Sequence, residues 1–263
     1  MPKDNSLFER VSFKNHKKQQ LTGDLYLPEN DIKGGVVFGH CFTCSRHTRV
    51  LQQACQDLYE RDIAALRFDF SGNGQSEGDF AETTYSKHMT EMKLAMSFLK
   101  DYGIENIGLA GHSMGAAVSL LTAASTSEAK AVCTLAGRYS ELNVPGLLDD
   151  KKKNQLKQTG QIDFQSRGRE LILTQDFFQD VASHDLAGIV AELTVPLLAI
   201  HGDQDEIIPV SEVYEAEKLK PENTKIEVIE GADHMFSQED HRKHVSQLLA
   251  DWFQEQLSSQ SSD

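Results

Sequence analysis

The chain has few basic residues, and it contains no apolar run long enough to cross a membrane. Its 263 residues include 26 Lys and Arg against 40 Asp and Glu, a formal net charge of −14. Nucleic acids and anionic membrane surfaces are bound by clustered Lys and Arg, and a membrane helix needs about 20 consecutive apolar residues. We therefore expect neither nucleic acid nor membrane as a partner. The start, MPKDNSLFER, also lacks the apolar core of a signal peptide, which predicts a cytoplasmic protein.

Cysteine is scarce as well, with four residues in the chain. Cys55 and Cys133 stand among apolar neighbours and are typical of buried core thiols. Cys41 and Cys44 form a Cys-x-x-Cys pair after a predicted strand, where redox chemistry is one alternative. The pair lacks the surrounding pattern of a thioredoxin-like protein and the two further ligands of a zinc site. We expect the pair to contribute packing, and we expect no metal.

Eight short apolar runs alternate with amphipathic stretches along the chain. The first two, at 11–15 and 21–28, alternate apolar and polar residues and predict an antiparallel pair. The others are continuously apolar, as is typical of strands buried on both faces. They cover residues 34–40, 63–70, 106–113, 129–137, 195–202 and 224–231. Repeated strand–helix–strand units predict an α/β fold with a doubly wound, mostly parallel sheet.

The interval 138–194 breaks this rhythm, because it is far longer than an ordinary connection between two such elements. It contains a possible hairpin at 161–174 and an amphipathic helical pattern that begins at Leu186. We interpret the interval as a small lid inserted over the sheet, so that residues 1–257 form a single domain. The polar tail 258–263 is expected to be disordered.

The sequence GHSMG at 111–115 is the first candidate site. The pattern Gly-x-Ser-x-Gly is weak by itself, but Ser113 stands where a predicted strand meets a predicted helix. A serine there occupies a sharp turn, and Gly111 and Gly115 keep the neighbouring backbone clear of it. The helix N-terminus also places free N–H groups near the hydroxyl. Ser113 is therefore a candidate nucleophile, and the alternative is a glycine-rich turn without a chemical role.

Two later segments offer the partners that such a serine needs. A serine hydroxyl is a weak nucleophile until a base takes its proton, and an acid must orient that base. HGDQDEIIP and GADHMF each follow a predicted strand, so Asp205 and His234 are expected at the same sheet edge as Ser113. The order Ser, Asp, His is the one expected for an enzyme with this serine turn. Asp203 is a rival for the acid.

These motifs resemble those of the α/β-hydrolase fold family, from Gly34 to the last helix. The resemblance implies a serine hydrolase with Ser113, Asp205 and His234 as its catalytic triad. The stretches HCFTCSRH and RFDFSGNGQSEGDF resemble the hydrolase part of bacterial fusions with an osmotically-inducible-protein-C-like domain, and more loosely the cinnamoyl esterases. The neighbouring His112 and His201 are expected to be hydrogen-bonded scaffold.

The resemblance also implies an oxyanion hole made of two backbone N–H groups. One belongs to Met114, after the nucleophile, and the other to Phe42, in the loop after the third strand. In the family that loop often has a glycine where this chain has Cys41. Arg138 and Tyr139 follow another strand at the same edge and are candidate substrate contacts, unless they anchor the insertion.

The implied function is hydrolysis of small carboxylic esters through an acyl-enzyme, without a cofactor. Thioesterase, peptidase or acyltransferase activity on the same triad is the alternative within enzymes. A non-catalytic binding protein with this fold is the alternative outside them. The insertion is too polar to line a tunnel for long fatty chains, which favours a small ester. The sequence predicts no particular oligomeric state.

Overall fold

The computed structural model describes residues 7–142, 147–220 and 222–258. The strands found there are β1 Glu9–Lys14, β2 Gln20–Tyr26, β3 Gly34–Gly39, β4 Ile63–Phe68, β5 Ile107–His112, β6 Ala129–Leu135, β7 Gln161–Ser166, β8 Arg169–Thr174, β9 Leu197–Gly202 and β10 Thr224–Ile229. The α-helices are α1 Arg49–Tyr59, α2 Tyr85–Lys100, α3 Met114–Ala124, α4 Asp150–Thr159, α5 Gln175–Ser183, α6 Leu186–Ala191, α7 Ser211–Leu219 and α8 Glu239–Ser258. Each of the eight strands predicted from apolar runs is present, with its ends displaced by at most two residues.

The central sheet has the strand order β1-β2-β4-β3-β5-β6-β9-β10. Strands β1 and β2 pair in antiparallel fashion, as does β2 with β4, and the remaining neighbours are parallel. The sheet is therefore mostly parallel, and the predicted antiparallel opening pair is confirmed. The prediction that continuously apolar runs form strands buried on both faces is confirmed for β3, β4, β5 and β9, in which every residue is buried.

Helices cover both faces of this sheet and divide the core into two layers. Apolar residues of α1 and α8 form one buried cluster with the strands, including Leu51 and Phe253. Those of α2 and α3 form the other, including Met92 and Val118. No helix in the described ranges is long and apolar enough to cross a membrane.

The segment between β6 and β9 carries α4, the β7–β8 hairpin, α5 and α6. The predicted hairpin is confirmed, with Ile162 opposite Leu173. Leu173 and Phe177 are buried in the same cluster as α2 and α3, so the insertion docks on the main core. None of the residues of helix α4 is buried, so its sequence has no apolar period from which a helix could be predicted.

Two predicted segments lie partly outside the described residues. Positions 143–146 of the insertion are not described. Ser258, the first residue of the predicted tail, is the last residue of α8, and the rest of that tail, 259–263, lies outside the described ranges.

Candidate active site

Ser113 occupies a strained turn between β5 and α3. Its φ of 56° and ψ of −115° lie outside the regions that a residue with a Cβ prefers. A Cβ at Gly111 would lie 2.0 Å from the Gly115 carbonyl oxygen, and one at Gly115 would lie 2.1 Å from that of Gly39. The two glycines are therefore needed for the chain to turn this sharply beside β3.

The loops after β9 and β10 bring an acid and a base together. His234 Nδ1 lies 2.8 Å from Asp205 Oδ2, while Asp205 Oδ1 accepts from the N–H groups of Ile207 and Ile208, each at 2.8 Å. Burial alone would raise the pKa of Asp205, but hydrogen bonds from His201 and His234 outweigh it and hold that pKa well below its usual range. A carboxylate at this position makes Nδ1 the donor and leaves Nε2 of a neutral His234 as an acceptor.

The rival acid has a different contact. Asp203 Oδ1 accepts a hydrogen bond of 2.7 Å from the backbone N–H of Gly231, and so it ties the two loops together. No hydrogen bond or ion pair joins it to His234, whereas Asp205 makes both. The geometry therefore favours Asp205 as the partner of the base.

His112 and His201 support these loops, as expected of scaffold residues. His112 Nε2 lies 2.7 Å from the carbonyl oxygen of His234. Burial lowers the pKa of His112 to about 3, so its neutral ring donates from Nε2. His201 Nε2 lies 2.9 Å from the carbonyl oxygen of Ile208 and 3.2 Å from Asp205 Oδ2.

Ser113 and His234 line the same cavity, whose volume is about 420 Å³. No hydrogen bond joins the Ser113 hydroxyl to the His234 ring in this structure. Contacts of this kind are often long before substrate binds and tighten in the complex. Asp205 reaches the site through His234, so the three predicted residues meet at one edge of the sheet.

Two backbone N–H groups without a hydrogen-bond acceptor belong to residues of the cavity wall. Among the described residues, neither Met114 N nor Phe42 N donates a hydrogen bond, although Met114 is buried. Buried N–H groups without a partner are rare in proteins. Both residues line the cavity that Ser113 lines. An oxyanion is the group that such a pair of donors stabilises.

The loop that carries Phe42 is held by several contacts. His40 Nδ1 lies 2.8 Å from the Cys41 carbonyl oxygen, and His40 Nε2 accepts from Phe70 N at 3.1 Å. Burial lowers the pKa of His40 to about 4, in keeping with a neutral ring that donates from one nitrogen and accepts at the other. The Phe42 ring stacks on Phe164 of the β7–β8 hairpin at a centroid distance of 5.9 Å.

The expectation that Cys41 and Cys44 are packing thiols needs correction. The structure joins them in a disulfide, with their Cα atoms 5.2 Å apart. Cys44 N also donates to the Cys41 carbonyl oxygen at 3.1 Å, which closes a tight turn around Phe42. The covalent link therefore constrains the loop that carries Phe42, the second candidate oxyanion donor. Cys55 and Cys133 are free and buried, as predicted.

Of the two predicted substrate contacts, the structure places one at the cavity. Arg138 lines it, with a guanidinium nitrogen 3.9 Å from Glu212 Oε1. Tyr139 is fully buried and does not line it, and its hydroxyl lies 2.5 Å from Thr134 Oγ1. For Tyr139 the structure therefore favours the other alternative, that it anchors the start of the insertion, because its ring lies in the core.

Sequence reasoning missed several residues that line the cavity. Tyr85 begins α2, and Ser166 and Arg167 come from the turn of the β7–β8 hairpin. The hairpin contacts the candidate oxyanion loop, residues 40–44, since Ser166 Oγ lies 2.7 Å from Thr43 Oγ1. The sequence SRGR in the hairpin turn, with its two arginines, was the available signal of a binding role. The position of this turn beside the cavity, however, depends on how the insertion docks on the main core.

The described residues contain no group of three or more His, Cys, Asp and Glu side chains that could hold a metal ion.

The glycine-rich loop at 71–78 surrounds Asp69, whose carboxylate accepts from the N–H groups of Arg46 and Gln75. Asp69 also forms a buried ion pair with the Arg46 guanidinium, so the loop has a structural role around this pair.

Two family models match the chain. One, described as the C-terminal domain of BAAT and acyl-CoA thioester hydrolases, matches residues 94–259. The other, described as serine aminopeptidase S33, matches residues 30–142. Among curated proteins, the chain is similar to the mitochondrial palmitoyl-protein thioesterase ABHD10 of Mus musculus, with 26% identity over 170 residues. That match covers 60% of this chain and about half of the relative, 53%.

Solved structures show the same fold. Est1E from Butyrivibrio proteoclasticus with bound ferulic acid has a TM-score of 0.81 and 23% identity, over 94% of this chain and 99% of that one. The esterase domain of a Rhodothermus marinus protein has a TM-score of 0.73 and 24% identity, over 96% and 100%. Mouse α/β-hydrolase domain-containing protein 10 has a TM-score of 0.72 and 20% identity, over 94% and 99%.

Proposed function

We propose that this chain is a serine hydrolase that cleaves carboxylic esters through an acyl-enzyme. The chain belongs to the family of the BAAT / acyl-CoA thioester hydrolase C-terminal domain, and it has the α/β-hydrolase fold. The observation that carries the proposal is the 2.8 Å contact between Asp205 and His234, beside the cavity that Ser113 lines. An oriented base next to a serine in a strained turn is the arrangement that activates a hydroxyl.

In the proposed reaction His234 Nε2 takes the proton of Ser113 as Oγ attacks the ester carbonyl carbon. The N–H groups of Phe42 and Met114 bind the oxyanion that forms. The tetrahedral intermediate then expels the alcohol, which receives the proton from His234, and leaves an acyl group on Ser113. A water molecule, deprotonated by His234, attacks this acyl-enzyme and releases the acid. The Asp205 carboxylate stabilises the imidazolium that forms twice in the cycle.

The size of the cavity supports a small substrate. Its volume of about 420 Å³ lies at the lower end of the range for small-molecule sites. We propose residues 138–194 as a lid within a single domain, since their hairpin contributes Ser166 and Arg167 to the wall. The relation to the hydrolase part of bacterial fusions and the cytoplasmic location remain predictions.

Hydrolysis of thioesters is a second candidate function on the same residues. The description of the chain's family and that of the mouse relative both refer to thioester hydrolysis. A thiolate is a better leaving group than an alkoxide, so the same triad and oxyanion donors suffice for both reactions.

Covalent labelling with a fluorophosphonate probe tests the proposal. We expect one adduct, located by mass spectrometry on Ser113, and loss of ester turnover by a factor of about 10⁴ or more in Ser113→Ala. Ser97→Ala, which removes an exposed hydroxyl of α2, is the matched control. A Ser113→Ala enzyme with full turnover would overturn the mechanism. Parallel rates on a butyryl ester, thioester and amide then separate esterase, thioesterase and peptidase activity.

A further inference from the structure

A second cavity, of about 610 Å³, adjoins the candidate active site. It shares Thr43, Cys44, Arg167 and Met235 with the first cavity, so the two are contiguous around the candidate oxyanion loop and the residue after His234. A substrate held at Ser113 can therefore extend into it.

Four arginines line this second cavity: Arg49, Arg167, Arg169 and Arg242. None of its lining residues is an Asp or Glu, in a chain that has 40 acidic residues against 26 basic ones. We call this space the arginine cleft.

Ion pairing sets these four arginines apart from the rest. Within the described residues, none of the four has a carboxylate oxygen within 4.0 Å. Each of the other five arginines does, namely Arg10, Arg46, Arg61, Arg67 and Arg138. The arginines without a carboxylate partner thus converge on one place, the cavity that adjoins the candidate active site.

Most donors in the arginine cleft are available to a ligand. A guanidinium has five N–H donors. Arg169 uses one on the Thr43 carbonyl oxygen at 2.9 Å, Arg242 uses Nη1 on the carbonyl oxygens of Phe236 and Ser237, and Arg167 uses Nη2 on the sulfur of Met235 at 3.9 Å. The cleft also contains the start of α1, whose first turn has no acidic residue. The positive end of a helix adds to the attraction for an anion.

The position of the cleft relates it to one side of the substrate. A leaving alcohol or thiol must lie next to His234, because that residue gives it a proton. Met235, the residue after His234, lines both cavities, and Ser237, three residues after His234, lines the arginine cleft, whereas Tyr85, Ala117 and Leu142 line only the first cavity. The acyl group therefore fits the first cavity, and the leaving group extends towards the arginines.

We propose that the arginine cleft binds a phosphate group carried by the leaving alcohol or thiol of the substrate. This rests on the proposed serine hydrolase function and specifies its substrate class. Planar guanidinium groups bind phosphate oxygens in pairs of hydrogen bonds, and several positive charges suit a phosphate dianion or a diphosphate better than a single carboxylate. The phosphate sits either on a short alcohol or at the far end of a longer thiol.

Two matched substrate pairs test the proposal. The first is 4-(phosphonooxy)phenyl butyrate against phenyl butyrate, and the second is butyryl-coenzyme A against butyryl-N-acetylcysteamine. We expect kcat/KM to favour the phosphorylated member of at least one pair by about tenfold or more, and this preference to shrink as salt is added. A preference in the first pair alone places the phosphate close to the scissile bond, and one in the second alone places it further away.

Substitutions assign the preference to the cleft. Arg49→Gln combined with Arg167→Gln should reduce the preference at least tenfold, and Arg49→Lys with Arg167→Lys should restore part of it. Arg61→Gln, which removes an arginine paired with Asp251 elsewhere on the surface, should leave the preference at its wild-type value. Equal kcat/KM within both wild-type pairs would overturn the cleft while leaving the serine hydrolase proposal intact.

Direct binding separates the two proposals. Pyrophosphate titrated into Ser113→Ala by calorimetry should bind, and binding should be lost when the two glutamine substitutions are added. If no ester or thioester is hydrolysed but pyrophosphate binding depends on Arg49 and Arg167, the function fails and the anion site stands. Pyrophosphate binding that the glutamine substitutions leave unchanged would overturn the cleft.

Discussion

The His112 ring donates a hydrogen bond of 2.7 Å to the backbone carbonyl oxygen of His234. His112, the residue before the candidate nucleophile, therefore holds the loop of the candidate base. The ring centroids of His112 and His234 lie 4.9 Å apart. Because His112 is the neighbour of Ser113 in the chain, its hydrogen bond links the position of the His234 loop to that of Ser113.

The first prediction tests His112 as a positioning residue. His112→Phe keeps a ring but leaves the His234 carbonyl oxygen without its donor, so kcat should fall about tenfold with little change in KM. His112→Gln offers an amide N–H near the place of Nε2 and should retain most of kcat. Steady-state kinetics on one ester checks both variants, and equal losses would show that His112 matters only for packing.

The second prediction concerns the acid. Asp205→Asn removes the charge that stabilises the imidazolium, so kcat should fall by a factor of about 10⁴ with KM nearly constant. Asp203→Asn is the matched control, because its carboxylate contacts Gly231 rather than His234. If Asp203→Asn were the damaging change, the assignment of the acid would be wrong.

The third prediction is a pH dependence of stability. Because hydrogen bonds hold the pKa of Asp205 below its unfolded value of about 3.9, its contribution to stability is present above that pH. It is lost as pH falls towards the folded-state pKa. Urea denaturation between about pH 6 and pH 3 should therefore show a smaller loss of stability in Asp205→Asn than in wild type. Equal losses would contradict this.

The fourth prediction concerns the disulfide. Reduction of the Cys41–Cys44 bond frees the turn around Phe42, so kcat should fall several-fold, well short of the ~10²–10³ expected for complete loss of an oxyanion donor. The contacts of His40 and the stacking on Phe164 still hold the loop. The variant with both cysteines changed to serine should show the reduced rate at once and respond no further to reductant. A wild-type rate in both would show that the bond is dispensable.

The fifth prediction is an acyl-chain preference. A cavity of about 420 Å³ with Arg138 in its wall should favour p-nitrophenyl esters of about two to six carbons. Each further CH₂ adds at most ~0.8 kcal/mol, and only where it is buried. A rate that peaks at about ten carbons or more, with activation by lipid droplets, would point to a lipase.

Much of the fold was readable from local patterns. Strands such as Gly34–Gly39 and Leu197–Gly202 are buried along their whole length, so their apolar runs stand out from the polar loops. Ser113 was recognisable because its turn admits only small residues beside it, at Gly111 and Gly115. The motif is visible because its residues are close along the chain, although Gly115 is also required by the approach of Gly39 in β3.

The sequence by itself thus determined the sheet, the serine turn and the two loops that follow β9 and β10. The resemblance pointed to Asp205 rather than Asp203, and the tertiary structure brings Asp205 to His234 while the backbone N–H groups of Ile207 and Ile208 hold its other carboxylate oxygen. Only the tertiary structure decided that the Tyr139 ring enters the core. Arg49 and Arg167 share a cleft because the insertion docks over the sheet, and such long-range contacts follow from packing rather than from any local period.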